Sequence, residues 1–173
     1  FSRSRGLGDV YKRQIFEMNK AGCAAVHIED QVFDKRCGHR PNKKIVSIDE
    51  MKERLKTAVS SKIDDSFFIM ARTDALASEG ITGAIKRCEA YIEEGIDGIF
   101  LEAVTCIEEY EVFKKNLSIP VLANITEFGK TPLFNQNQLK EVGVDMILYP
   151  LTAFRAMSAS AEKSYDSIIK DGT

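Results

Sequence analysis

At 173 residues the chain is long enough for one ordinary domain with a real core. Hydrophobic residues at 44% and charged residues at 29%, with only four prolines, describe a soluble globular protein. A net charge of −2 gives no general attraction to nucleic acid, and no apolar run approaches the roughly 18 residues of a membrane span. Four cysteines without a CxxC spacing speak against a zinc site or a disulfide framework and fit reduced thiols in a cytoplasmic protein.

The chain opens on Phe1, and its first residues do not belong with the rest. Ser4 to Gln14 looks like the in-frame translation of a transposase-type sequencing adapter, so residues 1–14 read as a non-native tail and residues 15–173 as the domain. The tail carries Arg3, Arg5, Lys12 and Arg13 against Asp9, which leaves the remainder more acidic than the whole.

Residues 15–21 read as the end of a helix stopped near Gly22, followed by a strand over about 24–29. Ser47 with Glu50 forms a capping box opening a helix whose apolar positions Met51, Leu55, Ala58 and Val59 recur at helical spacing. Phe67 to Ala71 is a continuous apolar run, which suits a strand covered on both faces, closed by Arg72, Thr73 and Asp74. A helix over about 80–94 carries Ile81, Ala84, Ile85, Cys88, Tyr91 and Ile92 as its inward stripe, with Gly95 just past its end.

Ile99, Phe100 and Leu101 make the next strand, closed by Glu102, and Thr105 with Glu108 caps a helix through about Asn116. Pro120 leads into a strand over 121–123, followed by the polar residues Asn124, Thr126 and Glu127. A short helix near 136–142 ends at Gly143, and Met146 to Tyr149 forms a fifth strand closed by Pro150. The last helix is expected from Thr152 or Ala153 to Lys170, with a break near Ser158.

Strands alternating with helices imply a parallel sheet, because each helix returns the chain to the same end by a right-handed crossover. The polar residues closing the strands therefore share one rim, the rim that carries catalysis in a (β/α)8 barrel. An open doubly wound sheet has the same spacing, but no strand is followed by a Gly-x-Gly-x-x-Gly turn.

The loop Lys35, Arg36, Cys37, Gly38, His39, Arg40 sets one thiol among cationic groups, and a nearby cation favours the thiolate. Arg72 offers a planar fork for a carboxylate or phosphate, with Arg155 and His39 as further donors. Glu29 and Glu102 would repel a polyanion unless a divalent cation lies between, and Mg2+ prefers such oxygen ligands. The expected substrate is a small, multiply anionic acid. Each residue also has a plainer reading: Arg72 with Asp74 as a strand-end ion pair, Glu102 as a surface acid, His27 as a core histidine, and Asn124 with Thr126 as turn formers.

The runs His27 to Gln31, Lys35 to Lys43, Ala71 to Ala75, Leu122 to Phe134 and Leu148 to Met157 resemble the isocitrate lyase and phosphoenolpyruvate mutase superfamily. Within it, Lys35-Arg36-Cys37-Gly38-His39 is similar to the lyase branch, and the continuation Arg40-Pro41-Asn42-Lys43 resembles the 2-methylisocitrate lyase family more than isocitrate lyases proper. The resemblance covers the chain from about Gly22 onward and implies a partial (β/α)8 barrel of about five strands. It makes Cys37 the catalytic acid, with Gly38, His39, Arg72, Glu102, Asn124, Ile125, Thr126 and Arg155 as substrate contacts. Phe100, Leu148 and Pro150 would leave room for a methyl group, and Glu29 would belong to the Mg2+ site through water.

The implied reaction is cleavage of 2-methylisocitrate, a small tricarboxylate, to pyruvate and succinate, as in propionate catabolism. The same resemblance implies a cytoplasmic homo-oligomer, a tetramer when full length. The first three strands, the direct Mg2+ ligands and further carboxy-terminal helices are expected outside this chain, which alone should be inactive. Rival expectations are cleavage of isocitrate to glyoxylate and succinate, another activity of the superfamily, and a non-catalytic barrel remnant.

Overall fold

The computed structural model describes residues 7–172. Five strands form one sheet: β1 Ala25–Glu29, β2 Phe68–Thr73, β3 Gly98–Leu101, β4 Val121–Asn124 and β5 Met146–Leu148. All neighbours are parallel, and the spatial order is β1-β2-β3-β4-β5. An open doubly wound sheet reverses its strand order at a switch point, where its ligands bind. Here the order never reverses, so right-handed crossovers leave every helix on the same face. The structure is an arc of a (β/α)8 barrel.

Alternate strand residues divide the sheet into two chemically different faces. Ile28, Ile69, Ala71, Ile99, Leu101, Val121 and Ala123 point outward and are buried under the helices. Each large aliphatic side chain so covered contributes about 1.5–3 kcal/mol. The facing helical residues are Met51 and Leu55 of α2 (Ile48–Val59), Ala84, Cys88 and Tyr91 of α3 (Leu76–Ile92), and Tyr110 and Phe113 of α4 (Ile107–Asn116). Leu139 of α5 (Gln136–Glu141) completes this layer. The register sets Glu29 beside Arg72, Arg72 beside Phe100, and Asn124 beside Leu148 on the concave face.

Most element ends follow the expected local chemistry. Ser47 Oγ accepts from the Glu50 N–H at 3.1 Å, but the Glu50 carboxylate turns to Arg54 at 2.6 Å instead of completing the box. At α4 the cap lies one residue later than expected: Glu109, not Glu108, accepts from the backbone of Thr105 and Cys106. Gly80 interrupts α3 with φ 68°, so the helical stripe proper starts just beyond it. The last helix, α6 (Thr152–Asp171), runs without the expected break near Ser158.

The tail drawn at 1–14 falls partly outside the described residues, at 1–6. Its remainder opens α1 (Leu7–Lys20), eight residues earlier than the helix end expected from residue 15. Ile15 is buried, and the Arg54 guanidinium lies over the Tyr11 ring at 5.9 Å. No helix among the described residues is long and apolar enough to cross a membrane.

Candidate active site

β1 ends in Glu29, whose carboxylate meets Lys35 at 2.6 Å and Arg72 Nε at 3.5 Å. The adjacent Asp30 points to the other face and is fully buried. It accepts from Thr73 Oγ1 at 2.7 Å, the Asp74 N–H at 2.9 Å and Tyr91 Oη at 3.0 Å. Burial pushes the Asp30 carboxyl above its ordinary range despite these donors. Tyr91 in turn accepts from Arg87 Nη1 at 3.1 Å, while Arg87 holds Glu79 through Nε and Nη2 at 2.7 Å each. This chain of contacts anchors the exits of β1 and β2 to α3.

Asp74 carries the anchorage to the rim. Its carboxylate accepts from Arg72 Nε at 3.0 Å and from Lys43 at 2.9 Å. Burial opposes its ionisation, but these two cations win and hold the carboxyl below the usual range. Burial likewise opposes the Arg72 charge, and Asp74, Glu102 and Glu29 together outweigh it. Arg72 Nη1 lies 3.5 Å from Glu102, and the guanidinium rests over the Phe100 ring at 5.1 Å. A fork held by an ion pair on one edge and an aromatic face below keeps one orientation, which a Lys could not do.

The loop after β1 is built to approach the loop after β4. Gln31 folds its start by exchanging two hydrogen bonds with the Arg36 backbone, at 3.0 and 2.9 Å. Gly38 then lies directly against Glu102, where no β-carbon fits. His39 follows: its Nδ1 accepts from the Lys130 N–H at 3.0 Å, so the ring proton is on Nε2. That Nε2 stands 3.1 Å from Glu102 Oε1, too far off the N–H axis to count as a hydrogen bond. Glu102 Oε2 accepts from Asn124 Nδ2 at 3.2 Å.

These groups surround a cavity of about 300 Å3 lined by Cys37, Gly38, His39, Arg72, Glu102, Asn124, Thr126, Pro150 and Arg155, together with Arg36, Glu127, Phe128 and others. Cys37 is exposed at its wall. His39 Nε2 and Asn124 Oδ1 are buried without a hydrogen-bond partner. Buried polar atoms are almost always paired, so both side chains keep unspent bonding capacity next to the cavity they help to line. The cavity mixes guanidinium groups with carboxylates, an environment for an anion bearing both charged and neutral oxygens.

The expected convergence is thus present for Cys37, Gly38, His39, Arg72, Glu102, Asn124, Thr126, Pro150 and Arg155. Ile125 does not join it: its side chain is buried in the core beneath the helices, and its N–H is spent on the Leu148 carbonyl at 2.8 Å. Phe100 lies beneath Arg72 and edge-on to His27, with ring centroids 5.2 Å apart, while Leu148 is half-exposed on the concave face. His27 is on that face too, and burial first, then Arg72, lowers its pKa from 6.5. The sequence alone assigns no role to Lys43, Glu127 or Phe128. Glycines at 38 and 129 were the local signal, since a glycine in a polar loop often marks close approach.

The donor set for a divalent cation is incomplete. Among the described residues no three His, Cys, Asp or Glu side chains converge as metal ligands. Glu29 stands alone in that role and is already shared by Lys35 and Arg72. The described residues therefore do not form a Mg2+ site by themselves.

Comparison with known proteins places this geometry in context. A family model described as phosphoenolpyruvate phosphomutase matches residues 5–169. The chain is 54% identical over 175 residues to the 2-methylisocitrate lyase of Vibrio cholerae, covering 96% of the chain and 57% of that protein. It is 53% identical to the 2-methylisocitrate lyase of Escherichia coli, covering 93% of the chain and 54% of that protein. A solved structure of 2,3-dimethylmalate lyase, a phosphoenolpyruvate mutase/isocitrate lyase superfamily member, superposes with a TM-score of 0.91 at 32% identity, over 97% of the chain and 57% of its own. The chain spans a little over half the length of the curated relatives it matches.

Proposed function

Since the chain belongs to the phosphoenolpyruvate phosphomutase family, we propose that it supplies the substrate-gripping part of a 2-methylisocitrate lyase active site. One observation carries the reading. A thiol, two guanidinium groups, a carboxylate and an amide-hydroxyl pair from the exits of five strands line one cavity with two unpartnered buried polar atoms. Identities of 53–54% to curated enzymes of that name support the choice of substrate.

In this reading Arg72 and Arg155 bind substrate carboxylates, and Asn124, Thr126 and His39 bond to the remaining oxygens. Loss of the substrate hydroxyl proton lets that oxygen's electron pair form the ketone of pyruvate as the carbon–carbon bond breaks. The bonding pair passes to the carbon next to a carboxylate, and the Cys37 thiol gives that carbon its proton, completing succinate. Phe100, Leu148 and Pro150 shape the wall expected to accept the methyl group.

Mg2+ belongs to the proposal through Glu29 alone, as one outer carboxylate of an ion whose other ligands come from outside these residues. When bound, it would stabilise the 2-oxo acid. The same reading makes the complete protein a cytoplasmic homo-oligomer and the 173-residue chain inactive by itself.

The test uses the protein completed to the length of its relatives. It should release pyruvate from 2-methylisocitrate with Mg2+, and Cys37→Ser should lose most turnover while keeping substrate binding. Near-normal turnover by Cys37→Ser would remove the acid from the mechanism. Comparing isocitrate decides the rival: one methyl discriminates by about 1–3 kcal/mol, so a preference of roughly 10- to 200-fold is expected.

A further inference from the structure

Phe128 combines two features that rarely occur together. Its backbone is left-handed, with φ 65°, and the residue is 95% exposed. The left-handed region is costly for a bulky side chain, and exposure means that burial does not compensate. A glycine would relieve the conformation, and Gly129 follows immediately. Something other than packing therefore keeps a ring at this position.

The Arg155 guanidinium lies over that ring at 5.4 Å. The two preceding residues hold the same group. Arg155 Nη1 donates to Thr126 Oγ1 at 3.3 Å and also contacts the Glu127 carboxylate. Glu127 is itself fixed by Thr152 Oγ1, which donates to it at 2.7 Å from the first turn of α6. Three consecutive residues thus grip one arginine by a face and one nitrogen. Among the described residues Nε and Nη2 have no hydrogen-bond partner, and Arg155 lines the cavity.

We infer that Phe128 and Glu127 are positioning residues, which hold the Arg155 guanidinium flat and rotationally fixed so that its unengaged edge meets a ligand carboxylate. The ring supplies the surface that fixes the plane, and Glu127 with Thr126 fixes the rotation within it. The left-handed backbone is the means by which the loop turns the ring back onto α6. At its other end the loop bonds to His39 through the Lys130 N–H. Residues 126–130 therefore join the arginine to the thiol loop. The inference rests on the proposed reading of the cavity as a carboxylate site.

Three substitutions and three readouts test it. Phe128→Gly should hold or raise the thermal midpoint, because it removes the left-handed penalty and little burial. It should also weaken binding of succinate by about two- to fivefold, the factor an exposed cation–π contact carries. Phe128→Tyr, which keeps the ring face, should bind succinate as the parent does, and Glu127→Gln should bind it more weakly.

The third readout, like the midpoint, needs no ligand. The Arg155 side-chain Nε–H resonance should be ring-shifted and distinct in the parent and in Phe128→Tyr, and should collapse towards that of free arginine in Phe128→Gly. An unchanged Arg155 signal, or unchanged succinate affinity, in Phe128→Gly would overturn the inference. So would a fall in midpoint alongside affinity, which would make the residue's role structural. If the parent protein takes no succinate at all, the carboxylate reading falls, while the Arg155 resonance still judges the clamp.

Discussion

Gly38 lies so close to Glu102 that a β-carbon on it would stand 2.3 Å from the Glu102 side chain. Gly129 makes the matching approach on the opposite loop, where a β-carbon would come within 2.9 Å of the His39 ring. The two loops close around the Glu102 and His39 side chains only because both positions lack a side chain. Gly38→Ala should therefore displace the thiol loop or Glu102 rather than fill space, destabilising by about 1–3 kcal/mol. Urea unfolding measures the stability change. If the loop moves as argued, succinate affinity falls with it.

Arg72 is expected to tolerate no replacement. Arg72→Lys loses the fork shared among Asp74, Glu29 and Glu102 and the contact with the Phe100 ring. Lys43 still neutralises Asp74, so the fold should survive while ligand binding drops at least tenfold, about 1.4 kcal/mol or more. Titration of the parent and variant with succinate provides the comparison, and equal affinities would contradict the role given to the fork.

Acid should weaken the fold through His27. Its pKa is lowered on folding, so below 6.5 the unfolded chain binds a proton that the folded protein resists. The His27 contribution to stability is therefore intact above 6.5 and declines as pH falls through that value towards the folded one. Asp30, raised by burial, has the opposite sign: its contribution declines as pH rises above 3.8. Urea midpoints at pH 7.5 and 5.5 should show a decline in the parent that is smaller in His27→Gln. An identical decline in both would place the acid sensitivity elsewhere.

Tyr91→Phe should lower stability by about 1.5–3 kcal/mol, because its hydroxyl links the buried Asp30 carboxylate to Arg87. The loss is larger than for a neutral hydrogen bond, since both partners carry or share charge. Denaturant unfolding at pH 7 gives the value. A change under about 0.5 kcal/mol would mean that the remaining donors to Asp30 suffice.

Local chemistry made much of the chain legible. The apolar runs at 67–71, 99–101 and 121–123 read as strands because no polar residue interrupts them; Arg72, Thr73 and Asn124 enter only at the strand exits. Gly22, Gly95 and Gly143 marked helix ends, and each has positive φ. The α4 cap was misplaced by one residue because Glu108 and Glu109 are both acids, and only backbone geometry chooses between them. Ser158 suggests a break in α6 that does not occur, since each of the four serines in this helix costs little against the long helical pattern.

Which side chains meet could not be read the same way. Parallel alternation determined that Glu29, Arg72, Glu102 and Asn124 share a rim, because crossover handedness leaves no other arrangement. The sequence alone therefore determined the strand and helix order, the common rim and most of the residues on it. Only the tertiary structure decided that Ile125 turns into the core, that Lys43 joins the strand-end ion pair of Arg72 and Asp74, and that Phe128 sits against Arg155. Lys43 and Phe128 come from loops tens of positions from their partners, where no periodicity constrains direction and the outcome depends on how closely two backbones can approach.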